Sequence, residues 1–259
     1  MIPLATQKGQ SDPPNDKAKG FFARSPEVAC VSVQEGYERW AENYDQTPNP
    51  LLALEERYLR KVLSDVAGSS VLDLGCGTGR WLTGLLARGA GPVVGIDLSA
   101  AMLKVAGGTV GIRNRLVLAD GLQLPFRASA FDFVLSSFVL NHIQHLDSMA
   151  RELARTMKWR GRLLICEMHP EAYARGWRPG FRDQRSAVRI DTVSHSTESI
   201  VSRFRAHGFT CVELCNLFFG ESEQAIFLGA GKGDTFKAAC DVPAIQVYQF
   251  TNMASETSS

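Results

Sequence analysis

Short apolar runs alternate with segments of helical periodicity through the middle of the chain. Five runs have the length and composition of buried β-strands: residues 71–74, 93–96, 116–118, 131–135 and 162–166. Between them, apolar residues recur every three or four positions, which predicts helices at 80–88, from Ser99 to Val105, and at 146–157. Strands that alternate with helices predict an α/β, doubly wound fold, in which a mainly parallel sheet carries helices on both faces.

The chain ahead of the first strand is predicted to be a helical extension. Aromatic residues recur at helical spacing from Tyr37 to Tyr44, and a second helix follows, so that the N-terminal helices span 33–68. Residues 1–25 are rich in proline and small polar residues and are predicted to be a disordered tail. A single domain over 26–252 is therefore expected.

After the fifth strand the regular alternation stops. Residues 168–196 are predicted to be irregular, and they contain five arginines: Arg175, Arg178, Arg182, Arg185 and Arg189. A solvated loop is the expected role of this segment, because runs of charge are usually exposed. Contact with an anionic substrate is the alternative.

The last third of the chain is predicted to complete the sheet. A helix is expected at 197–207, and strands are expected at 209–214 and 244–250, the second of them less buried because its residues alternate in polarity. The stretch 219–240 is predicted to be a surface helix or lid. We assign 168–240 as a whole to the substrate and lid elements.

The charge balance narrows the choice of partner. The chain carries 28 Lys and Arg against 27 Asp and Glu, a formal net charge of +1, which gives no electrostatic footprint for nucleic acid or an anionic membrane. We therefore expect a small-molecule substrate, with neither nucleic acid nor membrane as a partner. Both a monomer and a homodimer are compatible with the sequence.

The cysteines and the apolar runs bear on the compartment. Six cysteines are present and none forms a Cys-x-x-Cys pair, so neither a disulfide framework nor a metal site is expected. No run approaches the ~20 apolar residues of a membrane-spanning helix, and the first residues lack the apolar stretch of a signal peptide. These features predict a cytoplasmic protein.

The pattern richest in chemistry is a glycine turn directly after the strand at 71–74. Gly75, Gly77 and Gly79 allow a tight bend and a close approach of the backbone to a ligand. The helix that follows offers free N–H groups to a carboxylate or phosphate. Asp97 ends the next strand, where a carboxylate can bind two ribose hydroxyls. The pattern predicts a nucleotide-type site at the carboxyl ends of the strands.

Two classes of ligand fit such a turn. Dinucleotide-binding enzymes use Gly-x-Gly-x-x-Gly, whereas this chain has Gly-x-Gly-x-Gly. Asp73, two residues before the first glycine, could order the loop or face a cationic amine, and Asp120 follows the third strand. These details favour S-adenosylmethionine (SAM) over a dinucleotide, which stays the alternative.

Five segments, in chain order, resemble the motifs of class I SAM-dependent methyltransferases. The first motif is resembled by Val-Leu-Asp-Leu-Gly-Cys-Gly-Thr-Gly-Arg at 71–80, and the second by Gly-Ile-Asp-Leu-Ser at 95–99. The adenine-side motif is resembled by 119–126, the fourth strand by 131–134, and the turn before the fifth strand by 157–163. The branch resembled acts on small molecules and includes quinone-biosynthesis methyltransferases.

The resemblance implies a seven-stranded, mainly parallel sheet whose last strand is antiparallel, with SAM as the methyl donor and S-adenosylhomocysteine (SAH) as its product. Residues 40–45 resemble the N-terminal helix of that branch, whose tyrosine covers the donor, and Met102 matches a residue that often lines the adenine pocket. The predicted donor-binding residues are Tyr44, Asp73, Gly75, Cys76, Gly77, Gly79, Asp97, Leu98, Met102, Asp120, Gly121 and Ser137.

Methyl transfer from a sulfonium requires alignment more than acid–base help, because the methyl group is already activated. His142, after the fourth strand, is the predicted general base, since its ordinary pKa of about 6.5 suits proton transfer. A purely structural histidine is the alternative. Glu167 and His169 follow the fifth strand on the same rim and are expected either to contact the acceptor or to anchor the loop.

The sequence therefore predicts transfer of a methyl group from SAM to a small-molecule acceptor by in-line displacement. One alternative is a SAM-binding protein without methyl transfer, which would regulate or would promote decarboxylation or cyclisation. A dinucleotide-binding oxidoreductase is the second alternative.

Overall fold

A computed structural model describes residues 28–182 and 187–254 of the chain. The tail predicted at 1–25, and Arg185 of the Arg-rich segment, lie outside the described residues.

The described residues form strands and helices in close alternation. In chain order the strands are β1 (Val28–Val31), β2 (Val71–Leu74), β3 (Val93–Asp97), β4 (Leu116–Leu118), β5 (Phe131–Ser137), β6 (Met157–Met168), β7 (Gly180–Arg182), β8 (Ala187–Ile190), β9 (Phe209–Leu217) and β10 (Ile245–Asn252). The α-helices are α1 (Val33–Trp40), α2 (Pro50–Val62), α3 (Arg80–Ala87), α4 (Ala100–Ala106), α5 (Leu146–Thr156), α6 (Pro170–Ala174), α7 (Thr197–Ala206), α8 (Glu221–Gly229) and α9 (Gly233–Cys240). Short 3₁₀ helices lie at Ala41–Gln46, Arg113–Arg115 and Leu140–His142.

Seven strands form the main sheet in the order β4-β3-β2-β5-β6-β10-β9. Neighbours from β4 to β6 run parallel, whereas β10 runs antiparallel to β6 and to β9. The predicted seven-stranded, mainly parallel sheet with an antiparallel last strand is thus confirmed. The strand order reverses beside β2, and open sheets of this type bind ligands at the carboxyl ends of the strands at such a reversal.

Successive residues of the central strands enter two different cores, one on each face of the sheet. Val71 and Leu135 join the core under α2, α3, α8 and α9, whereas Leu72 and Val134 join the core under α5 and α7. Side chains alternate across a strand, so a strand covered on both faces must be apolar throughout. Each fully buried Leu or Val contributes about 1.5–3 kcal/mol relative to an exposed one.

The last strand is more buried than the sequence suggested. We expected the alternation in β10 to mark partial exposure, but the strand lies between β6 and β9, and Tyr248 is fully buried. The polar Gln246 is buried too, because its amide is satisfied internally. Its Oε1 accepts from Thr197 Oγ1 at 2.6 Å, and its Nε2 donates to Asn216 Oδ1 at 3.1 Å. The strand at this edge of the sheet is β9, which is partly exposed.

The segment predicted to be irregular contains a helix and two strands. β8 pairs in parallel with β1 and antiparallel with β7, which gives a second, three-stranded sheet beside the main one. The second sheet could not be predicted from the sequence because β1 and β8 are far apart along the chain. α1 packs on this sheet through Gly36, where a Cβ atom would lie 2.6 Å from Ile190 Cγ1.

The predicted substrate and lid region serves several structural roles. Helix α7 and strand β9 belong to the main fold, while the stretch 219–240 holds the two helices α8 and α9. Phe227 of α8 is buried, and Arg57 of α2 donates to Glu223 of α8 at 3.0 Å. These contacts hold α8 against the body of the domain. None of the described helices has the length and apolar character needed to cross a lipid bilayer.

A buried asparagine fastens the end of β10 to the junction of α5 and β6. Asn252 is 1% exposed. Its Nδ2 donates to the carbonyls of Ala154 (3.1 Å), Met157 (3.2 Å) and Lys158 (3.3 Å), and its Oδ1 accepts from the Ala254 N–H at 3.1 Å. One side chain thus satisfies backbone groups of two other elements.

We predict that Asn252→Ala lowers the free energy of unfolding by about 2 kcal/mol, because buried carbonyls left without donors cost about 1–3 kcal/mol. Urea denaturation measures the change. Asn114→Ala, at an exposed asparagine, is the matched control and is expected to change stability by less than about 0.5 kcal/mol. Equal effects of the two substitutions would contradict this role of Asn252.

Candidate active site

The glycine turn between β2 and α3 depends on its glycines for two different reasons. Gly75, Gly77 and Gly79 have φ angles of +71°, +53° and +81°, in the left-handed region that side chains disfavour. A Cβ at Gly75 would lie 2.4 Å from Val139 Cγ2, so this glycine also permits close packing. A Cβ at Gly77 would meet no atom within 4 Å, so the turn faces open space there.

Asp97, at the carboxyl end of β3, holds this turn in place. Its Oδ2 accepts the Gly77 N–H at 2.8 Å, and its Oδ1 accepts the Ser99 N–H at 2.8 Å. Burial raises the pKa of the carboxyl, while these backbone N–H groups act in the opposite sense. Each carboxylate oxygen keeps a second acceptor position, so Asp97 can also bind hydroxyl groups of a ligand.

A cleft with an empty volume of about 850 Å³ opens beside the turn; we call it the glycine cavity. The predicted donor-binding residues on its wall are Tyr44, Gly75, Gly77, Asp97, Leu98, Met102, Asp120, Gly121 and Ser137. The predicted base, His142, also lines it. Further lining residues, among them Tyr37, Phe138 and Val139, carried no motif in the sequence.

Three of the predicted donor-binding residues do not line the glycine cavity. The Cys76 side chain belongs to the core and packs against Gly95, and its N–H donates to the Ile96 carbonyl at 2.8 Å. Gly79 begins α3 and faces Ile112, where a Cβ would lie 2.5 Å from the Ile112 Cδ1 atom. These two residues therefore support the turn from its core side, Cys76 against β3 and Gly79 against Ile112.

Asp73, the third of them, lies buried under the turn. Its side chain is 1% exposed, and its Oδ2 has no hydrogen-bond partner among the described residues. Burial raises the pKa of Asp73 to about 7, although nearby Arg80 opposes the shift. Asp73 therefore lies behind the turn and does not line the glycine cavity.

A buried ion pair that the sequence did not indicate supports the same turn. Glu55 of α2 is fully buried, accepts from the guanidinium of Arg80, and also accepts from the Ser137 hydroxyl at the end of β5. The pair joins α2, α3 and β5 at one point. No sequence motif marks Glu55, because its partners are distant along the chain.

The N-terminal segment, which consists of α1 and the 3₁₀ helix that follows it (residues 33–46), lies against the glycine turn. The predicted aromatic face is confirmed: the rings of Trp40 and Tyr44 lie 4.8 Å apart, and those of Tyr37 and Trp40 lie 6.1 Å apart. Thr78 Oγ1 donates to Asp45 Oδ1 at 3.1 Å, which ties the segment to the turn.

Under this segment lies a second space, with an empty volume of about 520 Å³, that we call the aromatic cavity. Its aromatic residues are Tyr37, Trp40, Tyr44 and Phe138, and its polar residues are Asn49, Asn141, His142 and Glu167. Four residues line both cavities: Tyr37, Tyr44, Phe138 and His142. The two cavities therefore meet at a common wall.

His142 lies at that common wall, as predicted, but in an unexpected electrostatic state. Its Nε2 is 2.9 Å from Tyr37 Oη, and its Nδ1 is buried without a partner among the described residues. Burial lowers the pKa of His142 to about 4. The imidazole is thus neutral and only weakly basic near pH 7, so the expected pKa near neutrality was wrong.

Glu167, at the end of β6, both anchors a loop and faces the aromatic cavity. Its Oε1 accepts the Met168 N–H at 2.9 Å, and its Oε2 accepts the Asn141 N–H at 3.2 Å. Burial raises the pKa of Glu167 to about 7. His169 points elsewhere: its Nδ1 accepts the Glu171 N–H at 3.0 Å and caps α6.

The arginines expected in a solvated loop form local contacts. Arg175 pairs with Glu171 at 2.8 Å, and Arg178 lies 3.4 Å from the centre of the Tyr173 ring. Neither of them lines the two cavities, and Arg189 is exposed. Among the described residues, no group of three His, Cys, Asp or Glu side chains is arranged to hold a metal ion.

The chain is similar to known proteins in both sequence and fold. A family model described as "Methyltransferase domain" matches residues 72–165. The chain is 35% identical over 156 residues to a demethylmenaquinone methyltransferase of Tropheryma whipplei (strain Twist). This alignment covers 55% of this chain and 62% of that protein. The chain is also 31% identical over 228 residues to an uncharacterized methyltransferase of Emericella nidulans. That alignment covers 72% of this chain and 79% of the relative.

A solved structure shows the same fold at low identity. An S-adenosylmethionine-dependent methyltransferase of Mesorhizobium loti superimposes with a TM-score of 0.60 at 19% identity, over 76% of this chain and 97% of that chain. The match to the Tropheryma protein spans about 62% of that relative's length. The matched family region contains the glycine turn, Asp97, and Phe138 and His142 of the shared cavity wall, whereas Tyr37 and Tyr44 lie ahead of it.

The buried Asp73 carboxyl generates a prediction on pH and stability. In the folded chain it holds its proton up to about pH 7, whereas in the unfolded chain it releases the proton near pH ~4. Folding takes up a proton between these values, so the free energy of unfolding falls as pH rises from about 4 to 7. Asp73→Asn removes this loss.

We therefore predict that the stability of Asp73→Asn relative to the parent chain increases by about 2–3 kcal/mol as the pH rises from 5 to 8. Urea denaturation at both pH values measures the difference. Asp65→Asn, at a side chain that is 93% exposed, is the control and is expected to have little effect at either pH. A gain from Asp73→Asn that is the same at both pH values would show that the carboxyl is not buried in this state.

Proposed function

We propose that this chain, which belongs to the class I S-adenosylmethionine-dependent methyltransferase family, transfers a methyl group from SAM to a small molecule held in the aromatic cavity. The observation that carries the proposal is the common wall of the two cavities, formed by Tyr37, Tyr44, Phe138 and His142. A donor in one cavity and an acceptor in the other would meet there. Displacement at a methyl group needs this contact between two bound molecules.

The glycine cavity suits the donor in its chemistry. Gly77 leaves room for the backbone to approach a ligand, and the start of α3 offers N–H groups to a carboxylate. Asp97 is fixed by two backbone N–H groups and would accept the ribose hydroxyls. Met102 would pack on the adenine, and Asp120, whose Oδ1 accepts the Leu122 N–H at 2.9 Å, would accept its amino group.

SAM supplies a methyl group already activated by its sulfonium, so the protein's task is alignment and exclusion of water. Tyr37 and Tyr44 contribute the part of the common wall that comes from the N-terminal segment, and Phe138 contributes the part at the end of β5. Phe138 has a φ of +55°, a strained conformation for a bulky residue and one that is typical of functional sites. These rings would hold the two reacting atoms together and shield them from part of the solvent.

The lining of the aromatic cavity, mostly aromatic and apolar with a few polar groups, is typical of a site for a small-molecule acceptor. The relatives named as demethylmenaquinone methyltransferases match over less than two thirds of their length, so we do not carry their acceptor over. The expectations of a cytoplasmic location and of no nucleic-acid partner stay predictions.

Turnover separates the proposed function from its alternatives. The chain incubated with SAM and a panel of small acceptors is expected to release SAH, which chromatography with mass detection measures. SAM binding without SAH from any acceptor would favour a binding protein or a decarboxylase or cyclase. Calorimetric binding of NAD with no binding of SAM would overturn the proposal.

We predict that Asp97→Ala weakens SAM binding by about 100-fold, because two hydrogen bonds to a charged group contribute about 3 kcal/mol together. Isothermal titration calorimetry measures the dissociation constant, and circular dichroism checks the fold. Asp234→Ala, at an exposed carboxylate of α9, is the control and should bind SAM as the parent chain does. A folded Asp97→Ala variant with unchanged affinity would count against the assigned donor site.

A further inference from the structure

The polar groups of the aromatic cavity can accept protons or hydrogen bonds, and positive charge is missing from its described wall. Glu167 is 3% exposed and has no ion-pair partner among the described residues. His142 contributes a buried Nδ1 that also lacks a partner there. No Lys or Arg side chain that the structure describes lines this cavity. Such a wall is complementary to a ligand that brings its own positive charge.

The groups around Glu167 do not neutralise it. The titratable neighbours that act on it, or on which it acts, are Glu55, Tyr37, Tyr248, Cys166 and the cavity residue His142. None of them is cationic at neutral pH, since burial lowers the pKa of His142 to about 4. Arg80, a cation of the same region, is bound by Glu55. The backbone N–H groups of Leu140, Asn141 and Met168 stabilise the carboxylate only in part, since burial still raises its pKa to about 7. An ionised carboxylate in this state is costly unless a cation joins it.

The aromatic rings add a second attraction for a cation. Tyr37, Trp40, Tyr44 and Phe138 all line the cavity, and Trp40 is supported from behind by Phe181, with 5.1 Å between ring centres. Aromatic faces carry negative partial charge, and a desolvated cation over them gains about 2 kcal/mol. Aromatic walls around a buried carboxylate are the combination that protein sites use for ammonium groups.

Given the proposed function, on which this inference rests, we propose that the acceptor is an amine that enters the aromatic cavity as a cation, with Glu167 as its counter-ion and as the acceptor of its proton. His142, whose Nε2 lies 2.9 Å from Tyr37 Oη, lines the cavity beside this carboxylate and adds no positive charge to it.

The proposed reaction balances in charge and electrons. The ammonium group gives one proton to a Glu167 oxygen and becomes a neutral amine. The nitrogen lone pair then bonds the methyl carbon of SAM, and the carbon–sulfur bond breaks with its electron pair staying on sulfur. The products are a methylated ammonium ion and SAH, and Glu167 later returns its proton to solvent. A pKa of about 7 suits this role.

Binding of three probes with one carbon skeleton tests the charge preference directly. The chain saturated with SAH is titrated calorimetrically with phenethylamine, 2-phenylethanol and phenylacetate. We expect the amine to bind at least about tenfold more tightly than the alcohol, and the anion to bind most weakly. Equal or tighter binding of the alcohol or the anion, or no detectable binding of the amine, would overturn the proposal.

A charge-removing variant tests the residue. Glu167→Gln keeps the shape of the side chain, and we expect it to weaken phenethylamine binding about tenfold or more while leaving SAH affinity unchanged. Glu171→Gln, which removes an exposed charge of α6 outside the cavity, should leave both affinities unchanged. Amine affinity that survives Glu167→Gln would overturn the assignment. If Glu167→Gln does not fold, the three-probe comparison on the parent chain decides alone.

The two proposals fail in distinguishable ways. Loss of SAH binding by the parent chain would count against the proposed methyl transfer itself. SAH binding with a preference for the alcohol would overturn only the amine acceptor. Mass detection of methylated phenethylamine in the presence of SAM would support both.

Discussion

The hydrogen bond from the Gly77 N–H to Asp97 Oδ2, 2.8 Å long, joins the ends of two adjacent strands. β2 supplies the turn and β3 supplies the carboxylate, so the bond exists only if the parallel pairing of these strands is in register. Gly77 must be a glycine to take its φ of +53° without strain. The same carboxylate starts α4 through the Ser99 N–H. One partly buried acid therefore fixes both the turn and the start of α4 beside the glycine cavity.

The N-terminal segment converts this strand-end cleft into a two-ligand site. α1 packs on the second sheet through Gly36, and the following 3₁₀ turn is tied to the glycine turn by Asp45 and Thr78. These attachments place Tyr37 and Tyr44 over the point where the two cavities meet. Without the segment, the acceptor side would be open to water, and both the alignment and the electrostatic interactions would weaken.

Buried carboxylates dominate the electrostatics of the site. Glu55 pairs with Arg80, while Asp97 and Glu167 both accept hydrogen bonds from backbone N–H groups. Asp73 and Glu167 have no matched cation among the described residues, and burial raises the pKa of each to about 7. Asp73 is sealed under the turn, whereas Glu167 faces a cavity. Only Glu167 can therefore gain a partner from a ligand, which is the physical basis of the amine inference.

Much of this arrangement was predictable from the sequence because it is local. The apolar strands and the glycine turn carry their own signals, and they identified the wall from Gly75 to Asp97 and on to Asp120. The direction of each side chain in the turn was not predictable, which is why Cys76 was included although it lies in the core.

Features that join distant parts of the chain could not be predicted from the sequence, for a different reason. The pairing of β1 with β8 and the Glu55–Arg80 pair join distant segments that show no mutual pattern. The altered pKa of His142 depends on burial, which becomes visible only when α1 is seen to cover it. The buried Gln246 looked like an exposed residue because its partners are also side chains from other elements.

A crystal structure of the chain bound to SAH would test the central claim most directly. We predict that the ribose hydroxyls lie about 3 Å from the Asp97 carboxylate, with the adenine against Met102 and Asp120 and the sulfur directed at the wall shared by the two cavities. SAH bound away from the glycine turn, with Asp97 making no contact to it, would contradict the account.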